Sequence, residues 1–95
     1  MKLKLKKPIT VDGQEYQELD FDFDGLTGAD LLKARAGLSD NAAYMDNLLP
    51  ALSMDFQANV SAEAAKVSIN VIKALPAKDF MKITKAAQDF LSDKG

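Results

Sequence analysis

Apolar residues fall on odd positions at Leu3, Leu5, Ile9 and Val11, with Lys2, Lys4 and Lys6 between the first of them. Leu19, Phe21 and Phe23 repeat the alternation, now interleaved with Asp20 and Asp22. A period of two marks β-strands with one apolar face. Asp12-Gly13 lies between the two runs and is a tight-turn signal, so residues 1–24 read as an antiparallel β-hairpin. Two registers compete. A two-residue turn at Asp12-Gly13 pairs Ile9 with Tyr16 but sets Leu5 opposite Asp20. A three-residue loop, Val11-Asp12-Gly13 with Gly13 left-handed in a G1 bulge, pairs Leu5 with Leu19 and Leu3 with Phe21, so that both apolar sets share a face. It also sets Lys2, Lys4 and Lys6 opposite Asp22, Asp20 and Glu18, charge pairs that contribute about 0.2–1 kcal/mol each. The bulged register is therefore the expected one.

After Gly25 the period becomes helical. Thr27-Gly28-Ala29-Asp30 has the form of a capping box and predicts a helix to about Ala36, stopped by Gly37. Tyr44, Leu48 and Leu49 suggest a helical turn or two before Pro50, which suits the first turn of a new helix. Leu52, Phe56, Val60 and Ala64 recur every four residues and place one apolar stripe on a helix running to about Ala65. Ser68 then caps a short helix carrying Ile69, Ile72 and Leu75. Pro76 opens a last helix whose apolar face is Phe80, Ile83, Ala87, Phe90 and Leu91 and which ends near Ser92. Phe56, Phe80 and Phe90 are the expected core anchors. The fold class is α+β: an N-terminal antiparallel β-hairpin followed by a small bundle of four to five short helices, in a single domain over residues 1–95 with the helical part at 27–92. A lone hairpin is marginal, so its apolar face must be covered by helices or by another chain.

Composition narrows the chemistry. With 95 residues, 47% of them hydrophobic, the chain can build one modest core. It has no His and no Cys, which removes the commonest general base and metal ligand, thiolate metal sites and disulfides. A net charge of −2 gives no field to draw in phosphate backbones, so nucleic acid is not an expected ligand. No uncharged stretch is long enough to span a bilayer, and the basic start runs into Pro8 rather than an apolar signal core, so neither membrane association nor export is expected. Asp20-Phe21-Asp22-Phe23-Asp24-Gly25 copies the first six positions of an EF-hand loop, but the twelfth is Leu31 and the segment before Asp20 alternates like a strand. It reads as a strand facing lysines, and no metal site is expected. Ser39, Ser53, Ser61, Ser68 and Ser92 lie in capping or helical contexts without a base to activate them. The chain reads as a non-enzyme without a cofactor.

Three segments, taken in order, resemble a known family: LKKPITVDGQEYQELDF at residues 5–21, LTGADLLKARAG at residues 26–37 and IKALPAKDFMKITKAAQDFL at residues 72–91. With the chain length and the closing pair Phe90-Leu91, the combination is similar to the tail assembly chaperones of contractile-tailed phages and related prophages. Lys66 departs from the pattern, standing where a Gly would end the preceding helix. The resemblance implies a protein that binds the tape-measure protein, a long and largely helical chain, and keeps it soluble until tail-tube subunits polymerise around it. It also implies action in the host cytoplasm, absence from the mature virion, and a longer frameshifted form that recruits tail-tube protein. A chaperone for helices needs an apolar groove or face. Leu48, Leu49, Leu52, Met54 and Met81 are surplus to the core supplied by the hairpin and the stripes, and are the expected partner-binding residues. The other reading is a small structural tail or head–tail component retained in the virion as a ring joined through the hairpin. Oligomeric state stays open.

Overall fold

Asp12 and Gly13 both take positive φ, 53° and 81°, as a two-residue type I′ turn requires. The computed structural model describes residues 1–36 and 54–92. Strand β1 (Lys2–Val11) and strand β2 (Gln14–Asp20) form a two-stranded antiparallel sheet, followed by helices α1 (Gly28–Ala36), α2 (Met54–Ala65), α3 (Ile69–Lys73) and α4 (Ala77–Ser92). This is the expected α+β arrangement. The helical turns expected around Tyr44, Leu48 and Leu49, the stop at Gly37 and the start at Pro50 lie outside the described residues.

The register corrects the expectation. The short turn pairs Val11 with Gln14, Thr10 with Glu15 and Ile9 with Tyr16, so the bulged loop is not formed. The irregularity sits in mid-strand instead: beyond it Lys4 faces Glu18, Leu3 faces Leu19 and Lys2 faces Asp20. Residues 5–8 thus oppose Gln17 alone. Pro8 lies in this stretch and has no N–H to give the ladder, which makes it the natural place for the extra residues. The shift restores the parity that the bulged loop was invoked to provide, and Leu3 and Leu19 are both buried. Met1 and Phe21 extend the ladder by exchanging backbone bonds of 2.7 and 2.9 Å.

Beyond the hairpin, the capping box forms as expected. The Asp30 carboxylate accepts from the Thr27 N–H at 2.9 Å, and the Asp30 N–H donates to the Thr27 hydroxyl at 3.4 Å. Ser68 occupies the N-cap of α3 with extended φ and ψ of −71° and 157°, but its hydroxyl makes no capping bond. The Pro76 carbonyl accepts the first bond of α4 from the Phe80 N–H at 2.9 Å.

Helix α2 is the centre of the molecule, touched by α1, α3, α4 and β2. The expected stripe of Phe56, Val60 and Ala64 is buried, and so are Gln57, Ala58, Ser61 and Ala62, which take the burial around the helix. Small residues let α4 approach closely: Ser61 is fully buried, and its hydroxyl donates to the Gln57 carbonyl at 2.8 Å and lies 3.4 Å from the Ile83 carbonyl. On α4, Ile83, Thr84 and Ala87 are buried while Phe80, Phe90 and Leu91 are half-buried.

Two apolar clusters result. Leu3, Leu19 and Phe21 of the hairpin join Ala58, Ala62, Ala64, Val71, Ile72, Leu75 and Ile83. Ala34, Phe56, Val60 and Ala87 form the second, and Phe23 and Leu26 pack against both. Phe23 stacks on Phe21 with centroids 6.1 Å apart and on Phe90 at 5.8 Å. None of the described helices is long and apolar enough to cross a membrane.

Candidate functional site

Partner binding by helices needs apolar side chains left in solvent or a groove with an apolar floor. Both occur. Met54 opens α2 and is 55% exposed, and Met81 lies in the second turn of α4 and is 63% exposed. The two do not share a patch. Ser61 meets Ile83, while Val60 and Phe56 cluster with Ala87, so α4 runs antiparallel to α2. The helical rise then separates Met54 from Met81 by roughly 13 Å along the helix axes. Leu48, Leu49 and Leu52 lie outside the described residues.

Sequence reasoning missed Leu32 of α1, which is 71% exposed. The signal was available in the adjacent pair Leu31-Leu32, because neighbours on a helix diverge by about 100° and only one can face the core. Leu31 is the one that packs inward, against the cluster around Ala34 and Phe56.

The groove, of ≈ 640 Å³, lies between the 22–26 turn, α1, the C-terminal half of α2 and the turn into α3. Leu26, Ala34, Ala62, Val67 and Ile69 supply apolar lining. Its walls are fixed locally. The Asp22 carboxylate accepts the Gly25 N–H at 3.1 Å, and a side chain at Gly25 would have its Cβ 2.5 Å from that carboxylate and displace it. Lys33 of α1 reaches Glu63 of α2 at 3.8 Å.

At the end of α2, Lys66 takes a left-handed φ of 58°. The Lys66 N–H donates to the Glu63 carbonyl at 3.2 Å and the Val67 N–H to the Ala62 carbonyl at 3.1 Å, the paired bonds of a Schellman motif. Lys66 thus ends the helix in the place of the expected glycine, without moving the boundary at Ala65.

A smaller cleft is lined by Phe21, Phe23 and Phe90 and rimmed by Asp20, Asp22, Asp24 and Asp89. These aspartates include the calcium-loop lookalike. Asp20 lies 3.7 Å from the Met1 ammonium, Asp89 pairs with Lys85 at 3.2 Å, and Phe21 between the carboxylates points into the core. Among the described residues no three metal-ligating side chains converge.

The sequence model of a family described as phage tail assembly chaperone proteins, E, or 41 or 14, matches residues 2–92. No curated protein and no solved structure gives a significant match.

Proposed function

Because the chain belongs to the phage tail assembly chaperone family, we propose that its client is the tape-measure protein, whose helices it keeps in solution until tail-tube subunits polymerise around them. The observation that carries this reading is the exposure of Met54 and Met81, at 55% and 63%, on helices whose other large apolar residues are buried or half-buried. Methionine side chains are unbranched and polarisable, so they adapt to clients of varying shape. With Leu48, Leu49 and Leu52 they make up the proposed client-facing set.

The reading requires reversible capture and no bond-making chemistry. The growing tube outcompetes the chaperone for the client, so the complex needs a differential affinity that favours the tube, not a covalent step. The chain acts as one domain in the host cytoplasm, needs no cofactor and leaves before the virion is complete. A longer form of the same chain brings in tail-tube protein.

Co-expression with the tape-measure protein of the same phage, followed by size-exclusion chromatography with light scattering, tests the proposal. The expected result is a soluble complex that co-elutes, with less client held in solution by Met54→Gln and Met81→Gln variants. An insoluble client beside a closed ring of the present chain would reject it in favour of a structural tail component.

A further inference from the structure

We propose that the groove between α1 and the end of α2 seats an amphipathic client helix, with the Lys66 ammonium pairing a carboxylate beside that helix's apolar ridge. The proposal rests on the client reading above and names a second contact surface for it. It starts from a cost. A non-glycine residue in the left-handed region is disfavoured because its Cβ crowds the following carbonyl oxygen, and Lys66 sits there at φ 58°. The bonds that end α2 use only the backbone N–H groups of Lys66 and Val67, so glycine would make them without the penalty. Among the described residues the lysine side chain makes no hydrogen bond or ion pair that would hold the cap, and what its charge gains at the negative end of α2 is screened at this exposed site; strain of this kind clusters where a side chain is used.

The groove identifies the use. Other charges along its lining are engaged within the protein: Asp22 by the Gly25 N–H, Asp30 by Thr27, and Lys33 by Glu63. Lys66 is exposed and has no ion pair or side-chain hydrogen bond among the described residues. The lining therefore offers apolar contact from Leu26, Val67 and Ile69 next to one uncommitted cation. Its complement is an apolar ridge next to an anion, which an amphipathic helix with a Glu or Asp at the edge of its apolar face presents.

The test sets stability against binding. Tagged full-length protein, Lys66→Gly and Lys66→Arg are compared for thermal midpoint and for the amount of co-expressed tape-measure protein retained after washing at low and high salt. Relief of strain raises the midpoint of Lys66→Gly by about 4–8 °C. The same variant retains about fivefold less client at low salt. Lys66→Arg binds as the wild type does, and the difference between wild type and Lys66→Gly closes at about 1 M salt, where charges are screened within about 3 Å. If Lys66→Gly is stabilised and holds as much client as the wild type, the groove proposal is overturned and the client reading stands. A Lys66→Gly variant that is not stabilised overturns the premise of strain, and a wild type that retains no client overturns both proposals.

Discussion

The Asp22 N–H donates to the Ala64 carbonyl at 3.1 Å. This bond joins the exit of the hairpin to the last turn of α2, where backbone carbonyls have no partner within the helix. The Schellman bonds serve Ala62 and Glu63, and Asp22 serves Ala64 from another part of the chain. Asp22 also holds Gly25 through its side chain, so two substitutions separate the roles. Asp22→Ala loses only the carboxylate, whereas Asp22→Pro also loses the N–H. Urea unfolding should show Asp22→Pro to be less stable than Asp22→Ala by about 1 kcal/mol or more. Equal midpoints would mean that the bond to Ala64 adds nothing.

Thr27 and Asp30 satisfy each other's backbone groups at the start of α1. Thr27→Ala should cost about 1 kcal/mol, seen as a lower urea midpoint with an unchanged slope. A changed slope would point to altered compactness instead of a lost cap.

Ser61 bridges α2 and α4 through a polar atom. Its hydroxyl sits between the Gln57 and Ile83 carbonyls with no exposure to solvent. Ser61→Ala keeps the small volume and should cost less than about 1 kcal/mol. Ser61→Leu must push the helices apart and should cost about 1–3 kcal/mol. A tolerated leucine would show that the helix pair has room to spare.

Phe23 and Phe90 stack at 5.8 Å and tie the segment after β2 to the end of α4. A double-mutant cycle with Phe23→Ala and Phe90→Ala should return a coupling of about 0.5–1.5 kcal/mol. Strict additivity would reduce the stack to two independent burials.

Much of this was legible because local chemistry and periodicity agree. The Asp12-Gly13 turn, the capping box at Thr27, the position of Ser68 and the apolar face of α4 follow from residue types at fixed spacings. Sequence alternation fixes the parity of the hairpin register but not where its irregularity lies. Alternation requires Leu3 and Leu19 on one face, and a bulge at the turn would meet that requirement as well as the irregularity that forms in the stretch containing Pro8, the one residue there that cannot serve the ladder. The central position of α2 was harder to see. Its stripe of Phe56, Val60 and Ala64 is ordinary, and the remaining buried positions are Gln, Ser and Ala, which hydropathy does not separate from surface residues. Of the proposed contact residues, the exposure of Met54 and Met81 follows from their places off the stripes. Lys66 was noticed as a departure in sequence, but its place over a groove depends on α1 and α2 meeting, which no local pattern encodes.

The main core has a consequence for synthesis. Its first members, Leu3, Leu19 and Phe21, come from the hairpin, and the rest come from residues 58 to 83. The hairpin's pairings all lie between Met1 and Phe21, yet alone it is marginal and gains stability only when later residues cover it. Phe21, which is 1% exposed in the finished protein, belongs to a cluster whose later members run from Ala58 to Ile83. Until the helices that cover it have been made, the nascent chain of a tail assembly chaperone has an aromatic face of its own to be shielded.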